Sequence, residues 1–387
     1  MSATRMPAAA MAGRDRFDEV LKIAVLRGGG LGDLLFALPA LDALADAYPE
    51  AEIVLLGTPM HRELLRDRPG PVTRVELLPP ARGVNRPAGD DDPRATGAFM
   101  RRMRAEGFDL ACQLHGGGRN SNPFLLALGA RHTVGAATPD AAPLERTLPY
   151  VYYQHEVLRH LETVALAGAP SVGPEPVVAV TAAERRRGRE LTGAGPEPLI
   201  VIHPGATDPR RRWPAERFEE IALRCAADGM RIVFVGAGED APLTEAIARR
   251  VARLAGDAVV SLAGRIGLGE LAGVLALADV MVGNDSGPRH LAQAVGTRTA
   301  SIFWAGNLIN AGPLTRARHR VQLSWTTHCP VCGRDATQVG WTAPRCEHDV
   351  TFVDDVPAAA VYDDVRSLLE GEPGRPLTAT TAPPRGT

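Results

Sequence analysis

The chain has 387 residues, of which 45% are hydrophobic and 23% are charged, a composition typical of a folded protein with room for two domains. Its formal net charge of −2 gives no basis for a general affinity for nucleic acid, so we expect no nucleic-acid partner. Five cysteines are an odd number in a long chain, which argues against a disulfide framework.

Targeting signals are the next feature to consider. The first 19 residues contain no apolar run of the length that a signal peptide needs, and no stretch reaches membrane-spanning length without a charge, Gly or Pro. We therefore expect a cytoplasmic protein and leave a peripheral membrane contact open. Residues 1–19 are expected to be flexible, and the Pro-, Gly- and Thr-rich residues 371–387 to form a disordered tail.

The first half of the chain alternates short apolar runs with helical patterns. A buried strand over 21–27, a glycine-rich turn and a helix from about residue 34 to residue 47 are followed by strands over 51–57, at RVELLP and over 108–115. After the Pro/Gly-rich stretch GAGPEP the alternation restarts at PLIVIHPG and continues through DVMVGN, a helix from Gly287 and TASIF.

Repeated strand–helix–strand units imply mostly parallel sheets with helices on both faces. The sequence therefore predicts an α/β protein with two Rossmann-like domains, over 20–192 and 193–355. In such folds ligands bind beyond the carboxyl ends of the strands, so the loops at those ends are the candidate sites.

The turn after the first predicted strand, Gly28-Gly29-Gly30-Leu31-Gly32-Asp33, does not fit a dinucleotide-binding fingerprint. Its sixth position is Asp33 rather than Gly or Ala, and the second strand ends without an acid for a ribose, which argues against an NAD-dependent oxidoreductase. The Asp33 carboxylate could take a proton during a reaction, or it could cap the helix that follows. Spacing alone favours the cap, which is the commoner role.

A second loop places Asp285, Ser286 and Gly287 between a strand and a helix whose first turn contains Pro288 and His290. Free N–H groups and the positive dipole end of a helix suit a diphosphate, and His290 could reach the same anion. An ordinary capped helix with an exposed histidine explains the pattern equally well.

A third loop, HPGAT, is followed by three arginines at 210–212. Arginine offers several donors to phosphate oxygens, although a run of surface arginines is usually solvated. Arg212 is the strongest candidate of the three because Trp213 and Pro214 fix the backbone beside it. Glu239, in the loop after RIVFVG, could accept hydrogen bonds from ribose hydroxyls.

Three segments together resemble glycosyltransferase family 9, whose known members include bacterial heptosyltransferases. They are KIAVLRGGGLGDLLFALPALDALADAYPEAEIVLLG, HPGATDPRRRWPAERFEEIA and LAGRIGLGELAGVLALADVMVGNDSGPRHLAQAVG. The Asp-Ser-Gly step followed by His is the most specific part of the match. The resemblance implies a GT-B architecture, in which two Rossmann-like domains face one another, the first holding mostly the acceptor and the second mostly the nucleotide sugar.

The resemblance also implies an inverting glycosyl transfer, most simply from an ADP-heptose donor, with Asp33 as the catalytic base. Positive charge from arginine and from the helix N-terminus would then make a catalytic metal unnecessary. The residues that the resemblance assigns to donor binding are Gly32, Thr207, Arg212, Glu239, Asp285, Ser286, Gly287 and His290, the match at Glu239 being loose.

Three polar residues follow a strand of the first predicted domain: His115, Arg119 and Asn120. They are candidates for binding a saccharide or glycolipid acceptor, including an anionic one such as a phosphorylated saccharide. A tight loop with polar surface residues explains them equally well.

The cysteine-rich loop over 328–348 contains two pairs of candidate metal ligands fourteen residues apart, Cys329 with Cys332 and Cys346 with His348. A structural zinc site that pins the loop is one interpretation, and free buried thiols are the other. The final helix, over 356–370, is expected to cross back toward the first domain.

Other functions remain open on the sequence. A glycosyltransferase could use another nucleotide-linked sugar to build a surface glycan or a secreted metabolite, and an epimerase could share the fold. A non-catalytic sugar-nucleotide-binding protein would be expected to lack Asp33.

Overall fold

The computed structural model defines residues 15–85, 91–337 and 343–371. Residues 1–14 of the predicted flexible start and residues 372–387 of the predicted tail lie outside the described residues. The chain forms two compact units, one up to Pro176 and one from Val177 onward. Among the described helices, none is both long enough and apolar enough to cross a membrane.

The first unit contains a six-stranded parallel sheet. Its strands are β1 (Lys22–Leu26), β2 (Glu52–Gly57), β3 (Arg74–Leu77), β4 (Leu110–Gln113), β5 (His132–Ala137) and β6 (Arg146–Pro149). They lie in the order β3-β2-β1-β4-β5-β6, and each neighbouring pair is parallel. The central strands β1 and β4 are almost fully buried, as expected for a parallel sheet with both faces covered.

The helices of the first unit are α1 (Leu31–Ala47), α2 (Pro59–Leu65), α3 (Pro93–Ala105), α4 (Ser121–Leu126) and α5 (Glu156–Ala165). Helix α1 begins three residues before the predicted start, which places Asp33 inside its first turn. Asp92 caps α3 by accepting hydrogen bonds from the backbone N–H groups of Arg94 and Ala95. Apolar residues of α3 and α4 pack with β1 and β2 in one core.

The second unit has a sheet of the same connectivity. Its strands are β7 (Leu199–His203), β8 (Arg231–Phe234), β9 (Val259–Ser261), β10 (Val280–Asn284), β11 (Arg298–Trp304) and β12 (His319–Ser324). They lie in the order β12-β11-β10-β7-β8-β9, so the first strand of the unit again lies between its second and its fourth. The predicted α/β class with parallel sheets is confirmed.

The helices of the second unit are α6 (Ala182–Thr192), α7 (Ala215–Ala227), α8 (Ala241–Ala255), α9 (Leu268–Leu275), α10 (Gly287–Ala294), α11 (Ala305–Ala311) and α12 (Ala358–Glu370). Helices α7, α8 and α12 share a core with the sheet, centred on Phe218, Ile247 and Val361.

The division between the units differs from the expected one at residues 192 and 193. Helix α6 packs against α9 of the second unit. The two helices approach so closely that a Cβ at Gly273 would lie 2.1 Å from the carbonyl oxygen of Glu184. This contact draws α6 into the second unit and moves the division to Pro176 and Val177.

The final helix also differs from its expected course toward the first domain. Helix α12 packs against α7, β10, β11 and β12, which are all elements of the second unit. Its buried residues Val361, Val365 and Leu368 join the core of that unit, and burial of this apolar face is the physical reason for its position.

Candidate functional site

Both sheets have a topological switch point, where the chain turns from building one half of the sheet to building the other. In the first unit this point lies between β1 and β4, and in the second between β7 and β10. Ligands of open α/β sheets bind beyond the carboxyl ends of the strands at such points. Asp33 follows β1 and His115 follows β4, while His203 ends β7 and Asp285 follows β10. The sequence-predicted residues therefore lie at the edges where this fold binds ligands.

Asp33 is held by two donors and is open to solvent. Its Oδ1 accepts a hydrogen bond of 2.6 Å from Arg27 Nη2, and its Oδ2 accepts one of 2.8 Å from the backbone N–H of Gly30. The side chain remains 44% exposed. Asp33 is therefore not the cap that precedes a helix at Leu34; it is the third residue of α1, and its side chain binds back to the N-cap residue Gly30 while keeping accessible carboxylate surface.

The glycine-rich turn allows this geometry. Gly29 has a φ of +92°, a conformation that favours glycine, and a Cβ there would lie 2.3 Å from Asp33 Oδ2. Only a residue without a side chain lets the turn fold over the carboxylate in this way.

Two imidazoles flank the turn. His61 Nδ1 accepts from the backbone N–H of Thr58, so its Nε2 can donate to the carbonyl oxygen of Gly30 at 3.1 Å. His115 Nδ1 accepts from the backbone N–H of Gly28. Burial, and after it the nearby Arg27 charge, lower the pKa of both rings, and together with the other groups bring that of His115 to about 4. Both imidazoles are therefore neutral near pH 7.

Arg27 links Asp33 to a second carboxylate. The buried guanidinium donates to the carbonyl oxygens of Asp33 and Leu114, and its Nη2 lies 3.5 Å from Glu156 Oε2. Glu156 also pairs with Arg159, whose Nη2 donates to the carbonyl oxygens of residues 151, 152 and 154. The Asp33 carboxylate is thereby tied through Arg27 and Glu156 to the segment that follows β6.

The three candidate acceptor residues have different surroundings. His115 is neutral and turned toward the glycine-rich turn. Arg119 is 78% exposed, with its Nε 3.3 Å from Asp140 Oδ2. The amide of Asn120 lies against Gly83 and so joins the loops that follow β3 and β4. Of the three, only Arg119 presents a charge to solvent at this edge.

Asp285 is the centre of a buried cluster in the second unit and is only 2% exposed. Its Oδ2 accepts from Arg211 Nη1 at 3.1 Å and from Asn307 Nδ2 at 2.8 Å, and its Oδ1 lies 3.0 Å from His290 Nε2. Burial by itself raises the pKa of this carboxyl, but His290, Arg211 and Asn307 outweigh burial and hold the pKa below its usual range. Asp285 is therefore an ionised, sealed carboxylate.

His290 has a defined tautomer because of its neighbours. The fully buried Arg289 places its Nη1 3.1 Å from His290 Nδ1, and an arginine can only donate. His290 Nδ1 therefore accepts, and Nε2 carries the proton that it donates to Asp285. Burial lowers the pKa of His290 against the raising effect of Asp285, so the ring is neutral.

Helix α10 begins at Gly287 directly after this cluster, with Ser286 in the N-cap position and extended. Ser286 Oγ lies 3.1 Å from Nδ1 of the buried His203, which ends β7. This bond joins the loops that follow β7 and β10 across the switch point.

The members of the arginine run have different partners. Arg212 donates from Nε to the carbonyl oxygen of Ala206, and its Nη2 lies 3.7 Å from Asp240. Arg211 is the one that reaches Asp285, and its Nε is buried without a hydrogen-bond partner among the described residues. Pro209–Arg211 form one turn of 3-10 helix, of which Arg211 is the last residue.

The remaining candidates for donor binding lie near the same edges. Thr207 and Glu239 are exposed in the loops that follow β7 and β8. Gly32 lies in the first turn of α1, in the first unit, beside Asp33.

The cysteine-rich loop brings its four candidate ligands together. Sγ of Cys329, Cys332 and Cys346 and one ring nitrogen of His348 all lie within 4.8 Å of one another, which makes this a metal-binding constellation. Nδ1 of His348 is buried and has no hydrogen-bond partner among the described residues. Backbone N–H groups, first that of Cys332, lower the pKa of Cys329 to about 6 and so favour the thiolate that binds metals.

Comparison with known proteins identifies the family. The model of glycosyltransferase family 9 (heptosyltransferase) matches residues 96–337, more than half of the chain. The chain belongs to glycosyltransferase family 9. Lipooligosaccharide heptosyltransferase 2 of Haemophilus influenzae is 30% identical to this family member over 110 residues, which are 28% of the chain and 32% of that relative. The matched region thus spans about a third of that relative's length.

Solved structures share the fold of this family 9 member. A family 9 glycosyltransferase from Veillonella parvula superposes with a TM-score of 0.73 at 18% identity, over 92% of this chain and 99% of that one. The ADP-heptose lipopolysaccharide heptosyltransferase II of E. coli superposes with a TM-score of 0.71 at 19% identity, over 90% and 98% of the two chains. At these identities the similarity shows the fold.

Sequence reasoning found the two aspartates but missed most of what holds them. Arg27, Glu156, Arg211 and Asn307 were not predicted as site residues, and Arg211 was passed over for its neighbour. One signal was available for Arg27: it is the residue that ends the first apolar run, directly before the glycine-rich turn. The others depend on contacts across many residues of sequence.

Proposed function

We propose that this family 9 member is an inverting glycosyltransferase that moves a heptose from ADP-heptose to a hydroxyl of a saccharide or glycolipid acceptor. The observation that carries the proposal is the Asp33 carboxylate, which is oriented by Arg27 and Gly30 yet 44% exposed at the switch point of the first sheet. The acceptor is then bound by the first unit and the nucleotide sugar by the second.

On the acceptor side, Asp33 is the general base. A carboxylate offers about four acceptor positions, and Arg27 and Gly30 each occupy one. The remaining positions can take the proton of an acceptor hydroxyl as its oxygen attacks the anomeric carbon on the face opposite the leaving diphosphate. Arg27 is a positioning residue in this scheme, because it fixes the carboxylate without reaching the solvent-exposed side.

On the donor side, positive groups gather where a diphosphate would lie. The N-terminus of α10 offers backbone N–H groups and the positive end of the helix dipole, and the guanidinium of Arg211, whose side chain is 24% exposed, lies beside it. These groups can stabilise the charge that develops on the leaving diphosphate, so we propose a transfer that requires no divalent metal. Asp285 acts as the anchor that holds Arg211 and His290 in place.

Known relatives support the proposed donor and acceptor. Family 9 is described as a heptosyltransferase family, and the E. coli enzyme with the same fold is an ADP-heptose lipopolysaccharide heptosyltransferase. We extend this donor to the present chain and propose an acceptor in lipopolysaccharide or another surface glycan. An enzyme of this kind would act in the cytoplasm, with a peripheral contact to the membrane that carries a glycolipid acceptor.

The cysteine-rich loop fits a structural metal. Three thiolates and one imidazole are a ligand set that zinc uses in closed tetrahedral sites. Cys329, Cys332, Cys346 and His348 would hold the ion. Nδ1 of His348 is buried with no hydrogen-bond partner among the described residues, and this observation favours a bound cation over free thiols. The ion would cross-link the loop. It would take no part in glycosyl transfer, which would depend on Asp33 and the donor site.

Calorimetric titration of the purified protein with ADP, UDP, GDP and NAD, in buffer without added divalent cations, tests the donor. Selective binding of ADP is the expected result. A preference for UDP or GDP would keep the fold and replace the donor, which is the alternative of another nucleotide-linked sugar. Binding of NAD alone would overturn the glycosyltransferase proposal.

A further inference from the structure

The cysteine-rich loop contacts two elements that hold Asp285. We define the cysteine segment as residues 326–337 and 343–353, which lie within the described chain between β12 and α12. It contains all four candidate metal ligands, and Cys329, Ala336, Phe352 and Val353 pack into the core of the second unit. The segment is therefore part of the unit's packing and not an appended surface loop.

One end of the segment is built as a tight turn around the first ligand pair. The backbone N–H of Cys329 donates to the carbonyl of Arg334, that of Gly333 donates to the carbonyl of Cys329, and that of Ala336 donates to the carbonyl of Thr327. The second pair, Cys346 and His348, comes from beyond residues 338–342, and its ligand atoms lie within 4.8 Å of those of the first pair. A metal ion bound there would cross-link the two parts of the segment.

The first contact reaches the arginine turn of the donor site. The backbone N–H of Phe352, four residues after His348, donates to the carbonyl of Arg210 at 2.8 Å. The guanidinium of Arg210 lies over the rings of Trp304 and Phe352, with its central carbon 5.5 Å and 5.8 Å from the ring centroids. Arg211, the next residue, is the one that reaches Asp285.

The second contact reaches α11. Trp304 Nε1 donates to the carbonyl of Thr326 at 2.6 Å, and the Trp304 ring packs edge-on against Phe352 with centroids 5.3 Å apart. Trp304 is the N-cap residue of α11, and Asn307 in the first turn of that helix donates to Asp285. The two ends of the segment thus support two of the groups that hold the Asp285 carboxylate, Arg211 and Asn307.

From these contacts we propose that the Cys329, Cys332, Cys346 and His348 site is a positioning device for the donor site, in which a bound zinc-class divalent cation keeps Arg211 and Asn307 on Asp285. Loss of the ion separates the two parts of the segment, frees Phe352 and Thr326, and loosens both groups. The metal-loaded protein binds nucleoside diphosphate tightly and the stripped protein binds it weakly. The part of this inference that concerns the nucleotide rests on the proposed function.

The test compares the protein as purified, the protein stripped with a chelator under reducing conditions, and the stripped protein reloaded with Zn²⁺. Metal content per chain is measured by mass spectrometry, and ADP affinity by calorimetry after the chelator is removed. We expect one ion per chain, an ADP dissociation constant at least tenfold higher after stripping, and recovery on reloading with Zn²⁺ but not with Mg²⁺, which disfavours thiolate ligands. Equal ADP affinity with and without the ion would overturn the proposal.

Single-residue variants distinguish the effect of losing the metal from the effect of altering the loop. His348→Ala is expected to lose both the ion and the ADP affinity, whereas His348→Cys keeps a four-ligand zinc set and is expected to retain both. Arg334→Ala is the matched control, because its exposed side chain lies in the same turn but offers no metal ligand. Circular dichroism of each variant shows whether the unit is still folded. A folded His348→Ala protein that lacks metal and binds ADP normally would contradict the proposal.

A readout without nucleotide distinguishes failure of this inference from failure of the proposed function. Trypsin cleaves after arginine, so the rate of cleavage at Arg210, Arg211 and Arg212 reports how firmly the arginine turn is held. We expect faster cleavage after stripping. If the metal slows trypsin cleavage of the arginine turn in a protein that does not bind ADP at all, the link between the metal site and the arginine turn is supported and the proposed ADP-heptose donor is rejected. Identical cleavage rates in the loaded and stripped proteins would reject the link.

Discussion

Each of the two units has an aspartate at the same kind of position, but the two aspartates differ in their exposure to solvent. Each lies at the switch point of a sheet with the same strand connectivity, and each pairs with an arginine and has histidines nearby. Asp33 follows the first strand of its unit and is 44% exposed, whereas Asp285 follows the fourth and is 2% exposed. One fold thus provides both an accessible and a sealed carboxylate.

The difference lies in what covers the carboxylate. Asp33 sits under a turn of glycines, which add no side chains, and within the described residues its carboxylate is bound by Arg27 and the backbone of Gly30. Asp285 is enclosed by Arg211, His290 and Asn307, which come from three different elements. An accessible carboxylate can exchange a proton with a ligand, and a sealed, charge-balanced one can only hold its partners. The comparison predicts different consequences for equivalent substitutions.

The largest effect is expected when the accessible carboxylate of Asp33 is replaced, and the quantity affected is the rate of glycosyl transfer. Asp33→Asn keeps the size of the side chain and removes the base, so the transfer rate should fall by about 10²- to 10⁴-fold while ADP affinity is unchanged. Steady-state rates with an identified acceptor and calorimetry with ADP provide the two measurements. Asp46→Asn, an exposed change on the same helix, is the control. An Asp33→Asn enzyme as fast as this control would remove Asp33 as the base.

Replacing the sealed carboxylate of Asp285 should mainly lower the stability of the protein. Asp285→Ala leaves the charge of Arg211 and the donor of His290 without their buried partner, a change that typically costs about 3–5 kcal/mol. The free energy of unfolding in urea is the measurement, and ADP affinity should fall as well. Asp257→Ala, which alters an exposed carboxylate of the same unit, should change the free energy of unfolding by less than about 0.5 kcal/mol. Similar losses in both variants would argue against the cluster as a structural anchor.

The arginine run offers a sharper test of the donor site. Arg211→Ala removes a charged donor beside α10 and should raise the ADP dissociation constant by about 10- to 100-fold, since hydrogen bonds to charged groups contribute about 1.5–3 kcal/mol. Arg212→Ala should raise it less than Arg211→Ala does, because Arg212 binds the carbonyl of Ala206 and faces Asp240. Calorimetry with ADP compares the two. The opposite order would restore the sequence-based choice of Arg212.

The smallest effect concerns pH and the imidazole beside Asp33. Burial lowers the pKa of His115 from 6.5 to about 4 in the folded protein, so the unfolded chain takes up a proton first as the pH falls. Stability contributed by the neutral ring is complete above pH 6.5 and declines between pH 6.5 and pH 4, by at most about 1.4 kcal/mol per pH unit.

His115→Asn retains an acceptor for the backbone N–H of Gly28 and removes this titration. Urea unfolding of both proteins between pH 7 and pH 5 should therefore show a shallower loss of stability in the variant. The other buried histidines titrate in both proteins, so their contributions to the pH dependence of stability cancel when the two proteins are compared. Parallel curves would mean that His115 does not remain neutral in the folded state.

Much of the fold was predictable because a parallel sheet buries its central strands on both faces. The apolar runs at 21–27 and 51–57 correspond to β1 and β2, and the predicted helix from Gly287 is α10. The edge strand β6 was missed, since its residues alternate between half-buried and exposed and leave no apolar run. The boundary between the units was misplaced because only the close packing of α6 on α9 assigns α6 to the second unit.

By itself, the sequence determined the class of the fold, the family and the positions of Asp33, Asp285 and His290, because each depends on residues close together along the chain. Tertiary structure alone decided that Asp33 is exposed and Asp285 sealed, and that Arg211 rather than Arg212 turns inward. It also decided that the cysteine segment packs against Arg210 and Trp304, next to the groups that hold Asp285. Burial, charge balance and the tautomer of a histidine depend on side chains that lie far apart in sequence, and only folding brings these together.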